Sequence, residues 1–368
     1  MRIVRRFWMN AIYIIATASA LLSSASSAQN TEKTKIEPPF SQGLELPAGK
    51  YAPGYNGPAF IDVQGWNFDV WGSFTYWNIS QDVMNVGYNF PIQNASPSLQ
   101  VTSTIVSIEN VWEPGFKVGI AYNIDYDGWV GSAEYTWVRS SANVSAHNTT
   151  GSPLGNFTGT GLLLDFVSPS NVASTLDSSW KMNLDLVDVL FSRPFYEGTR
   201  ITTTPFAGLR ALFIRQHQSV NMFVPASGDF STATKTNCWS LGPVAGFSGH
   251  WLLGKGIRFE GSTAASLLYT NYTEISTDLT TPGNLSAPSK LNDFHELRPT
   301  AEIGVGLGWG SYIYNGNYFI DFSARYEFKY FWDQNVYRQF GAILADDGAD
   351  ALGALMLHGF TLTGGFDF

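Results

Sequence analysis

His217 and Ser219, with Asn221 two residues further on in this 368-residue sequence, set a base and a nucleophile at a spacing that could bring them together. A serine attacks only when a base within hydrogen-bond reach takes its proton, and residues i and i+2 share one face of a strand. Lipid hydrolysis at a barrel rim is the chemistry such a pair would support. Against it, Gln216-His217-Gln218-Ser219 is ordinary loop composition, and no third, orienting group can be picked out. The remaining histidines, His147, His250, His295 and His358, lack metal-ligand spacing, and Cys238 is the only cysteine. No metal, no cofactor and no internal disulfide are therefore expected.

A different chemistry is carried by charges that recur on one face of alternating segments. Lys117, Glu134, Lys181, Asp185, Arg210, Arg258, Glu260, Arg298, Glu302, Asp321, Arg325, Glu327 and Lys329 fall opposite apolar neighbours, as do Asp69 and Asp367. On the inner wall of a pore they would set an ion preference by their field. In a narrow barrel the same residues would pair with one another and fill the interior, and both alternatives stand.

The elements that would hold these charges are strands with period-two alternation. In 318–330, Tyr318, Ile320, Phe322, Ala324, Tyr326, Phe328 and Tyr330 oppose Asp321, Ser323, Arg325, Glu327 and Lys329. Residues 115–124, 239–252, 257–269 and 296–309 separate in the same way, and less regular candidates lie at 66–78, 129–139, 180–191, 201–215 and 355–368. That makes at least ten strands, with up to 16 possible if hairpins hide in 79–114 or at Leu162 to Val167. A charge facing lipid at mid-bilayer costs ~2–4 kcal/mol, so the segregation is what a transmembrane antiparallel β-barrel requires. Arg139 and Arg215 break the pattern at strand ends, and Asp188 breaks it within a strand, which suggests a bulge or a slip of phase. Connections alternate between short (125–128, 193–198, 254–256, 310–316) and long (79–114, 141–179, 216–237, 271–295, 332–354), the arrangement of short periplasmic turns and long extracellular loops.

Composition agrees. Aromatic residues reach 15% while charged residues are only 14%, a balance suited to alternating lipid-facing and polar faces with aromatic girdles rather than to a soluble domain. Trp66, Trp77, Trp129, Trp137, Trp180, Trp239, Trp251 and Trp309 lie near predicted strand ends and are assigned to the girdles. Arg2, Arg5 and Arg6, the apolar run Ala11 to Leu22 and the small residues through Ala28 read as a secretory signal peptide over 1–28. Its removal would take the net charge from −9 to −12, which argues against a general nucleic-acid partner. The Pro- and Gly-rich segment 29–65 reads as a periplasmic lead-in or a piece tucked into the lumen, ahead of a barrel over 66–368. In the last strand, Phe360, Leu362, Phe366 and Phe368 alternate with Thr361, Thr363 and Asp367, and Phe366 and Phe368 form the terminal aromatic signal expected to engage barrel-assembly machinery.

The runs Pro114-Gly115-Phe116-Lys117-Val118-Gly119-Ile120-Ala121-Tyr122-Asn123, Tyr126-Asp127-Gly128-Trp129, Trp180-Lys181-Met182-Asn183-Leu184-Asp185, Ser192-Arg193-Pro194-Phe195 and Pro205-Phe206-Ala207-Gly208-Leu209-Arg210 carry a resemblance. Together with the C-terminal strand, they make the chain similar to the major outer membrane proteins of Legionella and of environmental chlamydiae. The resemblance implies a general diffusion porin that is also an abundant surface protein, and a strand count nearer 16. Chlamydial relatives are cysteine-rich, so the lone Cys238 departs from them and speaks against a disulfide-linked matrix.

The expectation is thus a multi-pass outer-membrane barrel without enzymatic activity, a porin for small hydrophilic solutes and ions, in contact with outer-membrane lipid and open to forming a homo-oligomer. Acidic residues in the expected outer loops (Asp82, Glu109, Glu113, Asp165, Asp177, Asp278, Asp293, Asp346, Asp347 and Asp350) predict weak cation selectivity. A plugged structural or adhesin barrel acting through its loops is the alternative, and a rim lipid hydrolase the minor one.

Overall fold

The computed structural model describes residues 66–91, 104–124, 128–147, 155–159, 174–197, 200–225, 227–283, 285–337 and 352–368. The expected signal peptide over 1–28, the segment 29–65 and the stretch Leu162 to Val167 lie outside them. The strands are β1 (Phe68–Gln81), β2 (Asn85–Pro91), β3 (Thr104–Ser107), β4 (Val111–Ile124), β5 (Trp129–His147), β6 (Gly155–Gly159), β7 (Thr175–Ser192), β8 (Phe195–Tyr196), β9 (Ile201–Val224), β10 (Gly228–Gly254), β11 (Ile257–Thr281), β12 (Leu285–Leu291), β13 (Phe294–Ile313), β14 (Tyr318–Asn335) and β15 (Gly353–Asp367).

Ten of these form a closed antiparallel wall in the order β1, β4, β5, β7, β9, β10, β11, β13, β14, β15, and β15 pairs back onto β1. The count sits at the lower bound read from the alternation, not at the 16 implied by the resemblance. A path of paired residues that leaves β1 at Asp69 and runs once around the wall returns to β1 at Gln81, a stagger of twelve residues. With a rise of ~3.3 Å per residue and strands ~4.8 Å apart, that stagger tilts the strands by about 40° and gives a backbone radius of about 10 Å. Side chains alone can fill an interior of that width.

Alternation sets which face turns inward. On β13, Ile303, Val305, Leu307 and Trp309 are exposed on the outer wall, whereas Arg298 and Thr300 are buried inside. Val305→Arg, which places a cation on the lipid face, is expected to cost ~2–4 kcal/mol. Val305→Leu should be neutral, and urea unfolding in lipid vesicles compares the two. The short connections gather at one end with the start of β1 and the end of β15. The tightest is Gly254-Lys255-Gly256, where φ is positive at all three residues (119°, 54° and 80°), a path that favours glycine.

At the other end the strands run further than the alternation predicts. The expected loops 216–237 and 271–295 are largely strand: β9 and β10 continue to Val224 and from Gly228, and β11 continues to Thr281 with β12 paired on its edge. The reason is physical. Beyond the bilayer the outer face meets water, so apolar-out alternation is no longer needed, while the β-branched Thr232, Thr234 and Thr236 pack on the inner face and the ladder continues on both sides. β2, β3 and β6 form a separate small sheet, with β3 next to β5 and β6 next to β7.

β7 carries a correction. Its inner face is Leu176, Ser178, Trp180, Met182, Leu184, Leu186 and Asp188, all buried. Lys181 and Asp185, assigned to the lumen from the alternation, therefore point outward. Asp188, which looked like a slip of phase, is the inward charge, and no bulge interrupts the pairing of β7 with either neighbour.

Candidate functional site in the barrel lumen

The inner wall at bilayer depth is a layer of ion pairs. Nearest the short turns, Arg258 reaches Glu260 and Asp321, each at 2.6 Å. One turn of the wall higher, Lys117 Nζ donates to Glu327 Oε2 at 2.7 Å and lies 3.9 Å from Glu134, and Arg325 meets Glu327 at 3.1 Å. Arg210 grips Asp188 with two parallel bonds of 2.7 Å, and Glu302 is shared between Arg210 and Lys329. Arg298 stands apart, 2.6 Å from Glu296 and beside the ring of Tyr272. Lys117, Arg210, Glu260, Arg298, Glu327 and Lys329 are all buried. A charge removed from water is tolerated only when its partners replace the lost hydration, and the alternating signs of this layer supply them.

Two indoles are built into the layer. Trp71 donates Nε1 to Glu134 at 2.8 Å, and its ring lies across Gly119, where any Cβ would collide with it. Trp77 donates Nε1 to Thr361 at 3.2 Å, with Lys117 and Lys329 over its ring at 5.2 and 5.9 Å. Trp77 therefore belongs to the lumen and not to the girdle, to which its place near a predicted strand end had assigned it. Trp180 is corrected likewise: it is buried inside β7 and donates to Gln216 at 3.1 Å. Both share a parity with an inward charge, Trp77 with Asp69 and Trp180 with Asp188, and that parity is the signal by which they could have been found.

Above the charged layer the interior turns apolar. Trp77, Ile79, Val138, Leu184, Leu186, Leu212, Ile214, Leu268, Phe331, Leu355 and Leu357 form one buried cluster that also takes in Met84, Val86 and Ile108 from the first long connection and Val336 and Tyr337 from the last described one. Asn335 ties these connections together by donating to the carbonyl of Asp82 at 2.8 Å.

The outer wall is banded. Trp129, Trp251 and Trp309 ring the short-turn end with Trp66 beyond them, and Trp137, Trp239, Tyr76 and Trp112 form a second belt nearer the long loops. Phe366 stacks on Tyr318 at 5.4 Å, and Phe368 packs with Phe68 and Trp66 at 6.4 Å. His217 and Ser219 sit on the outer face of β9, where Ser219 Oγ shares a hydrogen with Ser179 Oγ at 2.7 Å. Among the described residues no group of three His, Cys, Asp or Glu side chains could hold a metal.

The family described as Legionella pneumophila major outer membrane protein precursor matches residues 63–368. No curated protein matches by sequence. Among solved structures, the chain is similar to Ail, the attachment invasion locus protein of Yersinia pestis, at 11% identity over 82% of this chain and 97% of that one, with a TM-score of 0.19. It is also similar to the CymD monoaromatic hydrocarbon channel at 10% identity over 82% and 88%, TM-score 0.30. A Pseudomonas aeruginosa FadL homologue follows at 6% over 82% and 90%, TM-score 0.22.

Proposed function

Because the chain belongs to the Legionella pneumophila major outer membrane protein family and is a β-barrel of the outer membrane, we propose that it serves as a surface barrel whose lumen is sealed at rest. It would act through its long extracellular extension rather than as a permanently open diffusion pore. One observation carries this: the interior is filled twice over, by paired charges at bilayer depth and by an apolar core above them. A barrel of ten strands has no width left for a water column once both layers are in place. The extension of β9, β10 and β11 beyond the bilayer, with β12 added to its edge, supplies a broad surface for contact with a neighbouring or host surface.

The second reading is the porin, for small hydrophilic solutes and ions with weak cation preference. It is favoured by the polar lower lumen, where Ser73, Thr75, Thr136 and Thr361 accompany the ion pairs. Refolded protein in planar bilayers separates the two. The sealed barrel is expected to give a baseline without stepwise openings, whereas discrete steps with a reversal potential favouring cations would establish the porin in its place.

A further inference from the structure

The outer wall carries one concentration of cations that neither the lumen nor the loops explain. Lys181, His217 and Lys235 form a single hydrogen-bonded row across β7, β9 and β10, and all three side chains turn outward. The row beneath is Asn183, Arg215 and Asn237, and Arg139 on β5 stands opposite Asn183. The row beneath that is Asp185, Phe213 and Trp239. Trp137 lies two positions below Arg139 on the same face. The cations thus sit immediately above the second aromatic belt. Since aromatic belts mark headgroup level, this is the depth of the outer-leaflet headgroups.

The local charge balance is lopsided for so acidic a chain. Asp185 is the acid inside the patch, with Arg139 engaging both its oxygens at 2.9 and 3.0 Å, and Glu113 at the β4 margin accepts from the backbone N–H of Ser141 at 3.1 Å. Arg215 approaches the same carboxylate only to 3.8 Å and stays 62% exposed. Glu274, at the margin on β11, is occupied by Asn237 at 3.0 Å and by Lys290 at 3.8 Å. Among the described residues, neither Lys181 nor Lys235 has an acidic partner. Lys181 and Lys235 are two strands apart, about 10 Å, so their long side chains can close on one anion over His217 while Arg215 meets it from below.

We propose that Lys181, Arg215 and Lys235, with His217 between them, form a site on the outer wall for the phosphate of an anionic lipid in the outer leaflet. The acyl chains would lie against the belt of Phe213, Trp239 and Trp137. A lipid fits better than a soluble anion because the patch is directly continuous with the lipid-facing surface and opens sideways, not into a cleft. Cations near a membrane surface attract anionic headgroups additively, which gives the arrangement its strength. The proposal holds whether or not the lumen conducts.

The test refolds the full chain in phosphatidylcholine vesicles doped with diphosphoryl lipid A or with its dephosphorylated form, and counts the lipid retained per barrel by native mass spectrometry. Wild type should retain the phosphorylated lipid about tenfold better or more, a ratio expected from several surface cations acting together. K181A/R215A/K235A should reduce that ratio to near one, and the charge-conserving K181R/R215K/K235R should keep it. Heat-dependent gel migration reports that each barrel is folded, and if the triple alanine variant fails that check, Lys235→Ala alone is read against wild type. Excess inorganic phosphate should leave retention unchanged. Equal retention of the two lipids by wild type, an undiminished ratio in the alanine variant, or full displacement by inorganic phosphate would each overturn the proposal.

Discussion

Arg210→Met is expected to lower the stability of the barrel by ~3–5 kcal/mol, the cost of removing one partner from a buried ion-paired set. The side chain is 3% exposed and holds Asp188 through two bonds of 2.7 Å, so no water can replace it. Glu302 keeps Lys329 as a partner after the substitution, but Asp188 keeps nothing among the described contacts. The damage should therefore lie in one orphaned carboxylate. Adding Asp188→Leu to Arg210→Met should recover more than half of the loss, because an apolar pair of similar volume replaces the charges. Urea titration of the vesicle-embedded protein measures both. A loss under 1 kcal/mol for Arg210→Met would mean that the inner layer is wet.

Trp77→Ala should cost a comparable ~3–5 kcal/mol, the range for deleting a large aromatic from a packed core. Trp309→Ala, on the lipid face, should cost less than half as much. Trp77 is 1% exposed, supports two ammonium groups on its ring and joins the charged layer to the apolar one. Trp309 is 40% exposed and stacks on one neighbour, Phe322, at 6.3 Å. Equal losses at the two positions would return Trp77 to the girdle.

How far the sequence could be read follows from which solvents meet each strand face. β13 and β14 were legible because both cross lipid on one side and polar lumen on the other, so apolar and charged residues separate without exception through Glu302, Arg325 and Glu327. β7 was not. Its upper part leaves the bilayer, where outward positions such as Lys181 and Asp185 meet headgroups and water while inward positions such as Met182 and Leu184 enter an apolar core. The sign of the pattern reverses along one strand, and a rule that sends charges inward then fails, although Asp188 still marked the true phase. The apolar core had no local signature at all. It arises because Met84, Val86, Ile108, Val336 and Tyr337 fold back over the barrel mouth, and that proximity is set by closure and not by spacing along the chain.

Closure has a consequence in time as well as in space. Most joints in the wall link strands that follow one another closely in the chain, but the seam between β1 and β15 binds Ser73 to Thr363 and Trp77 to Thr361, 290 and 284 positions apart. Phe68 and Phe368 lock its end with reciprocal backbone bonds of 3.1 and 2.9 Å. The entropy of so large a loop must be overcome before the seam returns any energy, and contacts this distant in sequence make for slow folding. Until the seam forms, β1 and β15 both present bare edges able to pair with a neighbouring copy. The waiting time before the last strand finds the first is thus the interval in which the nascent barrel needs an escort.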